Sequence, residues 1–344
     1  MRTPCRRRLQ RPLCAALALA LAGCTSTPPD PAATDAGPDD GGAADAAPPD
    51  AAPAPMIESE PLAPPQAKED LKCPPEMVRV AGRFCVDRYE AMLLDATTGS
   101  SISPYYPPVR RQAASIEKLW QKLRFDMGDA EAQRMELPLL PEWQRQRDFE
   151  PRAVSRKDVV PQGYTSGELA ELSCKNAGKR LCRLEEWRTA CMGEQNQQFP
   201  YGPKYEAGRC NVFREGHPAL SLHNDMTQGH SDPRLNQVKV KGKPLLRRTG
   251  ETATCMSPWE GDAIADMVGN LDEWVAHEPA EDAADPRIVQ AESRSKARAK
   301  KGTFVGGFFS RSTRDGCMST VTAHTFDYFD YSTGVRCCMD LPPR

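Results

Sequence analysis

The sequence has no excess of either charge, no long apolar run and none of the common catalytic signatures. Its 344 residues include 45 Lys+Arg and 47 Asp+Glu, for a formal net charge of −2 and a pI near 6.3. This balance excludes a globally basic protein that binds nucleic acid through its net charge. No stretch reaches the roughly 18 apolar residues of a membrane-spanning helix. A Ser-His-Asp order, a phosphate-binding loop and a zinc-hydrolase motif are also absent.

A basic stretch and a short apolar run open the chain. Five arginines lie among the first eleven residues, and residues 13–22 consist of Leu, Ala and Cys. This pattern is typical of a signal peptide. The letters LAGC at 21–24 resemble the lipobox of bacterial lipoproteins, in which the cysteine is lipidated and becomes the new N-terminus. We predict a signal peptide at 1–23 and a lipid anchor to a membrane at Cys24; a plain secretory signal with an incidental Cys24 is the alternative.

The next segment lacks the residues from which a core is built. Residues 25–55 contain ten Ala, eight Pro, six Asp and three Gly, but no Lys, Arg, aromatic or branched aliphatic residue. Such a composition buries too little apolar area to offset the entropy of ordering. We therefore predict a lipidated cysteine and a disordered tether over 24–70, followed by a folded domain over 71–344.

Thirteen cysteines are unusual for a protein of a reduced compartment. Cys5 and Cys14 leave with the signal peptide and Cys24 carries the lipid, so ten remain. An even number in an exported chain indicates disulfides first. No Cys-x-x-Cys pair is present; a cysteine metal site or a reactive thiol is the alternative. This usage predicts an extracytoplasmic, membrane-anchored protein of the periplasm or cell surface.

Turn residues divide the folded part into short elements. Residues 77–90 alternate around a glycine-containing turn and predict a β-hairpin. The charged stretch 110–160 is predicted as a helical insertion that ends in a Pro-rich loop. A capping box formed by Thr165 and Glu168 predicts a short helix that ends at Gly178.

The second half of the chain shows less periodicity. Residues 184–191 predict another short helix. Residues 199–262 are rich in turn signals, so disulfides or bound ions would have to order them. Residues 304–336 predict short strands. The fold class is therefore α+β with little regular secondary structure.

Several short segments occur in a recognisable order. They are 178–187 (GKRLCRLEEW), 199–202 (FPYG), 210–211 (CN), 266–274 (DMVGNLDEW), 306–307 (GG) and 334–337 (GVRC). Together with the opening hairpin, they resemble the formylglycine-generating enzyme family, also called the sulfatase-modifying-factor family, over about residues 73–340. The resemblance implies an irregular, disulfide-stapled fold related to C-type lectins.

The resemblance also implies a chemistry whose key residues are missing. Better-known members of the family oxidise a substrate cysteine with oxygen and a copper ion held by two cysteines. Here the first of these cysteines falls at Arg311, the second has no counterpart, Phe308 replaces the motif serine, and Asp272 replaces the first Trp of the family's WEW triplet. Two thiolates are what soft Cu(I) requires. We therefore do not expect copper, and we predict a binding module for a peptide or glycan.

Two alternatives to a binding module stay open. One is an oxygen-dependent oxidoreductase or protein-modifying enzyme that uses iron or copper, with Cys317, His324 and Asp327 as candidate catalytic residues. His324 and Asp327 could form an acid–base pair, although such a histidine more often bonds to a backbone carbonyl. The other alternative is a structural envelope lipoprotein without a small ligand.

The family's two disulfides imply the pairs Cys174–Cys337 and Cys191–Cys317. The remaining six cysteines are paired here only by their proximity in motif order. Those pairs are Cys73–Cys85, Cys182–Cys338 and Cys210–Cys255.

Structural calcium is the cofactor that the resemblance implies. One family site maps onto the side chains of Asp266 and Glu273 and the carbonyls of Gly269 and Leu271, and hard oxygen ligands suit Ca²⁺. The alternative is that the two acids are a turn cap and a surface charge. A second family site would begin with the side chain of Asn211 and the next carbonyl, Val212; its other ligands cannot be placed.

Histidines and aromatic residues provide two further candidates. An iron site would need two of His217, His223 and His230 with Asp225 or Asp232, although loop histidines are more often exposed. C-terminal aromatics would line the groove where the catalytic relatives bind peptide, with core packing as the alternative. These are Phe308, Phe309, Phe326, Tyr328, Phe329 and Tyr331.

Overall fold

A computed structural model describes residues 72–212, 216–277, 300–311 and 314–341. These residues fall within one unit, Ala67–Arg344. The predicted signal peptide, Cys24 and the tether lie outside the described residues. Within the described ranges, no helix combines the length and the apolar character needed to cross a bilayer.

The strands are two to five residues long because turn residues interrupt every alternating run. In chain order they are β1 Met77–Val80, β2 Phe84–Asp87, β3 Ala91–Asp95, β4 Pro151–Ser155, β5 Arg180–Leu181, β6 Lys239–Val240, β7 Lys243–Pro244, β8 Met256–Trp259, β9 Asp262–Ala265, β10 Asp272–Trp274, β11 Phe304–Val305, β12 Thr320–Val321, β13 Thr333–Gly334 and β14 Cys337–Asp340. The short strands confirm the expectation for residues 304–336.

The helices are few and mostly short. They are α1 Arg110–Leu123, α2 Ala130–Arg134, α3 Glu142–Gln146, α4 Gly167–Asn176, α5 Leu184–Met192 and α6 Pro218–His223, with 3₁₀ turns at Leu235–Gln237 and Gly316–Met318. The chain therefore has a mixed α/β structure with small sheets.

Two four-stranded sheets and three strand pairs organise the part of the chain that the structure describes. One sheet has the order β1-β2-β14-β5 and the other the order β12-β11-β10-β13. In the first sheet, Val86 pairs with both Val78 and Cys338, all antiparallel. In the second, β10 runs parallel to β13 and antiparallel to β11. Each sheet thus joins strands that are far apart in sequence.

The predicted β-hairpin is confirmed as β1 and β2. Its three-residue turn places Ala81 and Gly82 at φ 50° and 63°, a backbone that glycine adopts without a Cβ penalty. Val80 and Phe84, the residues that flank the turn, are paired and buried. The predicted helix at 184–191 is confirmed as α5.

Two sequence predictions are corrected. The cap of α4 is Ser166 rather than Thr165: the Ser166 hydroxyl accepts a hydrogen bond from Leu169 N–H, whereas Thr165 donates to Gly163 O. Residues 151–155, which were predicted as the end of a Pro-rich loop, form strand β4 and pair with β3 over five residues. Proline is tolerated there because Pro151 opens the strand.

Disulfides join the ten cysteines of the described residues in the five pairs set out from the sequence. They are Cys73–Cys85, Cys174–Cys337, Cys182–Cys338, Cys191–Cys317 and Cys210–Cys255. Every one of these disulfides except Cys73–Cys85 links two segments that are at least 45 residues apart in the sequence. Cys182–Cys338, Cys191–Cys317 and Cys210–Cys255 lie in the apolar core that also contains Trp187, Phe199 and Trp259.

Candidate functional site

The predicted catalytic residues are not brought together. Cys317 is fully buried and bonded to Cys191, so it offers no thiolate. The His324 ring stacks on Tyr328, with 3.8 Å between ring centroids. The Asp327 carboxylate accepts a hydrogen bond from the Thr325 hydroxyl. The described structure records no hydrogen bond between His324 and Asp327, so it does not support the acid–base pair.

The three loop histidines have separate partners. His223 is buried; its Nε2 lies 2.9 Å from Asp232 Oδ2, and its Nδ1 lies 3.3 Å from the Gln228 carbonyl oxygen. His230 Nε2 lies 2.8 Å from the Met226 carbonyl oxygen. No group of three or more His, Cys, Asp or Glu side chains arranged to hold a metal ion occurs in the described part of the chain. The histidines in this arrangement do not fit the iron site.

The Glu273 carboxylate is occupied by another cation. Arg336 donates to its Oε1 at 2.7 Å and 3.0 Å, and the Trp187 indole N–H donates to its Oε2 at 2.6 Å. Both Glu273 and Arg336 are buried, so Glu273 is not a surface charge. This ion pair leaves Glu273 without the free oxygen that a calcium ligand requires.

The other calcium candidates fit no better as a set. Asp266 is buried, accepts the Gly250 N–H at 2.6 Å, and has its pKa raised to about 6, first by burial. The amide of Asn211 donates to Leu245 O and to Asn270 Oδ1, both at 2.9 Å. Its buried Oδ1 has no partner among the described residues and could serve as a single oxygen ligand. One free oxygen does not make a Ca²⁺ site.

A different cluster forms where the resemblance would place copper. The Arg311 cluster consists of Asp272, Arg311, Phe308, Tyr331 and His217. Asp272 opens β10, and Arg311 follows the turn at 306–307, where two glycines have positive φ. Arg311 donates to Asp272 Oδ1. Two residues at which the sequence departs from the motifs that it resembles thus meet as an ion pair.

Burial controls the charge of Asp272. Its side chain is almost wholly buried, while 28% of the Arg311 side chain is exposed. Burial raises the pKa of Asp272 to about 7; Arg311 opposes this effect and Asp330 adds to it. The Asp272 Oδ2 atom has no partner among the described residues. The pair therefore changes its net charge near neutral pH.

Aromatic rings line one side of this ion pair. The Arg311 guanidinium lies 5.9 Å from the centre of the Phe308 ring. The Phe308 and Tyr331 rings meet edge to face, and the Tyr331 hydroxyl lies 3.0 Å from His217 Nε2. Burial and the neighbouring His230 lower the pKa of His217. Both ring nitrogens of His217 have partners, because its Nδ1 accepts a hydrogen bond from Ala219 N–H. The partly exposed guanidinium of Arg311 suits hydrogen bonding to a polar ligand more than nucleophilic attack.

Sequence reasoning missed the acid that supports this cluster. Asp330 accepts from the Tyr328 hydroxyl at 2.6 Å and from the backbone and side chain of Ser332. The local sequence signal for Asp330 was the pattern D-x-S at 330–332, which favours an Asx turn. The predicted groove aromatics are mostly core: Phe308, Phe309, Phe326 and Tyr331 are buried.

Comparison with known proteins gives only distant likenesses. No protein-family model and no curated protein sequence matches the chain. The crystal structure of CarF matches 75% of this chain and 87% of its own, with 12% identity and a TM-score of 0.34. PvdO from Pseudomonas aeruginosa matches 75% and 80%, with 14% identity and a TM-score of 0.33. The Major Tropism Determinant U1 variant matches 78% and 53%, with 13% identity and a TM-score of 0.36. At these values, the matches assign neither a family nor a function.

Proposed function

We propose that this chain is an extracytoplasmic, lipid-tethered binding module that keeps the framework of the formylglycine-generating enzyme family and binds a peptide or glycan at the Arg311 cluster. The observation that carries the proposal is the Arg311–Asp272 ion pair at the position of the copper cysteine. The disulfide-rich structure is consistent with an extracytoplasmic location.

Copper-dependent oxidation lacks its ligands. Cu(I) in this family needs two thiolates, and the ten cysteines of the described residues are bonded to each other. Arg311 adds a fixed positive charge at the position of the first thiolate, and a cation is repelled by another cation. The proposed activity is therefore binding without oxidation.

The cluster offers the means to hold a polar ligand. A guanidinium has five N–H donors in a planar fork, and the pairing with Asp272 leaves some of them free for a ligand carbonyl or carboxylate. The buried rings of Phe308 and Tyr331 support the guanidinium from the side of the core. Arginine is among the residues that contribute most to recognition surfaces.

Selection from a dodecapeptide phage library and a glycan array tests the proposal with the full-length chain in detergent. We expect ligands whose affinity falls at least about tenfold in Arg311→Ala. Arg83→Ala is the matched control, because Arg83 is an exposed arginine of the hairpin turn. Ligands that bind both variants equally would place recognition elsewhere.

A copper-binding and activity assay tests the part of the proposal that excludes oxidation. Purified full-length chain is titrated with Cu(I) against a chelator and incubated with a cysteine peptide and oxygen. We expect neither stoichiometric copper nor conversion of the cysteine. Formation of formylglycine would overturn the proposal.

A further inference from the structure

One face of helix α1 is exposed and basic. The helix buries Trp120 and Ala113. Because an α-helix has about 3.6 residues per turn, the positions opposite these two residues form one stripe along its length. We call it the α1 stripe; it consists of Arg111, Ser115, Lys118 and Lys122, all of which are exposed. The stripe contains three basic residues and no acid, and it shares no residue with the Arg311 cluster.

The two lysines of the stripe carry charge that no neighbour offsets. Within the described ranges 72–212, 216–277, 300–311 and 314–341, neither Lys118 nor Lys122 has a side-chain hydrogen bond or an ion pair. Helix α1 contains one acid, Glu117, whose carboxylate lies 3.6 Å from the Arg145 guanidinium and whose side chain is only 13% exposed. Since residues adjacent in sequence do not face each other on a helix, Glu117 does not neutralise Lys118.

The arginine of the stripe is only partly offset. Arg110 donates to Asp148 at 2.7 Å, and this hydrogen bond is the main cause that lowers the pKa of Asp148; the charge of Arg111 adds to it. Two arginines therefore share one carboxylate, which is itself 83% exposed. The first turn of α1 keeps a net positive charge, and the two lysines extend it toward the end of the helix.

Two large apolar side chains accompany these charges. Leu119 flanks the stripe and is 49% exposed. Phe125 follows the end of α1 and is 55% exposed, even with the Arg124 guanidinium 4.6 Å from its ring centre. Basic residues together with Leu or Phe are typical of helices that lie on an anionic lipid surface. A soluble anion would use the charges alone, whereas a lipid surface would also take the apolar side chains out of water.

We propose that the α1 stripe lies against an anionic lipid surface, with Lys118 and Lys122 at the lipid phosphates. This inference goes beyond the proposed function, because it concerns a separate surface and a different partner. Each cation near an anionic surface favours the bound state about fivefold, so the two lysines contribute roughly thirtyfold. Such a contact is weak for a free protein. It is sufficient as the second contact of a chain that a lipid already holds at the membrane, as predicted for Cys24.

Brief acetylation of lysines on vesicles, read by mass spectrometry, tests the proposal. The full-length chain is mixed with an excess of vesicles, made either of phosphatidylcholine and phosphatidylglycerol in equal parts or of phosphatidylcholine alone. The salt is about 150 mM, at which charges more than about 8 Å apart are largely screened. We expect Lys118 and Lys122 to be acetylated at least about fivefold more slowly on the anionic vesicles. Lys157 and Lys204, exposed lysines outside α1, are expected to change less than about twofold.

Charge reversal on the stripe tests the same contact, with Lys122 as the reporter. Arg111→Glu/Lys118→Glu is expected to bring the acetylation rate of Lys122 on anionic vesicles to within about twofold of its rate on neutral ones. Arg83→Glu/Lys157→Glu is the matched control, because it makes the same change in net charge at two exposed positions outside α1. In this control Lys122 is expected to stay slow. Unchanged melting temperatures verify the fold of both variants.

Three outcomes would overturn the proposal. Equal acetylation rates of Lys118 and Lys122 on the two kinds of vesicle would exclude the anionic surface; rates that are slow on both would indicate that the acidic segment 25–55 covers the stripe instead. Equal effects of the two double variants would exclude a specific contact. Free glycerol phosphate that slows both lysines as much as the anionic vesicles do would indicate a site for simple anions. None of these results depends on Arg311→Ala, and the intact mass of the same sample reports lipidation separately.

Discussion

At the scale of single residues, the buried guanidinium of Arg336 organises the largest group of core charges. It donates to Glu273 and to the carbonyl oxygens of Asp87 and Ala265. Glu90 and Asp266 are close enough to raise its pKa. Burial raises the pKa of Glu90, and the charges of Asp266 and Glu273 raise it further. One cation thus shares a core with three carboxyl groups.

Removing the charge of Glu273 is expected to destabilise the domain. Glu273→Gln leaves Arg336 without its direct counter-charge in a buried site, at a cost of about 3 kcal/mol in the free energy of unfolding. Urea titration with intact disulfides measures this loss. Glu260→Gln is the control, because Glu260 pairs with Arg79 at the surface and its loss costs less than about 1 kcal/mol. Equal losses of unfolding free energy in the two variants would mean that the buried ion pair stabilises the fold no more than the surface pair does.

Asp272 is expected to make stability depend on pH. Its pKa is about 7 in the fold and 3.8 as a free side chain. Between these values the folded state keeps a proton that the unfolded state has released, so stability falls as pH rises from about 4 to 7. Asp272→Asn removes this contribution and flattens the curve of unfolding free energy against pH from 5 to 8. Asp266, with a pKa of about 6, leaves a smaller slope of the same sign. Parallel curves for wild type and variant would contradict the prediction.

At the scale of elements, the first helix of the insertion, α1, contacts the rest of the domain through one face. Trp120 is buried, stacks on His223 with 5.3 Å between centroids, and donates from its indole nitrogen to Ser231 Oγ at 3.2 Å. Arg234 donates a hydrogen bond to the carbonyl oxygen of Ala132, in α2, at 2.7 Å. Helix α1 buries little else besides Ala113.

Trp120→Ala is expected to loosen the insertion before the rest of the domain. The lost packing costs about 3 kcal/mol locally, so trypsin should cleave first at the basic residues near the end of α1, Lys118, Lys122 and Arg124. Mass spectrometry of a digestion time course identifies the first cuts. Leu119→Ala is the control on the same helix, because Leu119 is 49% exposed and its loss costs less than about 0.5 kcal/mol. First cuts elsewhere in the Trp120 variant would show that other contacts hold the insertion.

Local patterns predicted the elements whose signals lie within a few residues. The β1–β2 turn and helix α5 have such signals. The predicted cap of α4, Thr165, is one residue away from the observed cap, Ser166, because both are residue types that cap helices well. Strand β4 was missed because Pro151 and Arg152 conceal its alternation, and its pairing with β3 is non-local. The candidate site depends on longer contacts still: Tyr331 and His217 meet across 114 residues, which no local pattern encodes.

At the scale of the whole molecule, two disulfides close nearly the same large loop. Cys174–Cys337 spans 163 residues and Cys182–Cys338 spans 156. Because these loops overlap over residues 182–337, either bond alone keeps the long loop closed in the unfolded chain, and Cys191–Cys317 also closes most of it. Cys73–Cys85, in contrast, closes a separate loop of 12 residues.

The effects of removing these two overlapping disulfides are therefore expected to be non-additive once Cys191–Cys317 is also absent. In a Cys191→Ala/Cys317→Ala background, replacing both pairs by alanine should cost about 2 kcal/mol more than the sum of the two single removals, because only that variant frees the long loop. Urea titrations of the single and double variants give this difference. Removal of Cys73–Cys85 together with Cys174–Cys337 is the control, and its effects should add. If the losses of unfolding free energy for Cys174–Cys337 and Cys182–Cys338 simply add, the stabilisation does not come from loop closure.

Cys317, Cys337 and Cys338 follow their disulfide partners by more than a hundred residues. On the proposed export route, Cys174, Cys182 and Cys191 would reach an oxidising compartment before these partners. Neighbouring thiols that meet an oxidant early form bonds with each other, and these bonds must later be exchanged. With ten cysteines there are on the order of a thousand pairings. On the proposed export route, native pairing therefore requires disulfide exchange once Cys337 and Cys338 have reached the oxidising compartment.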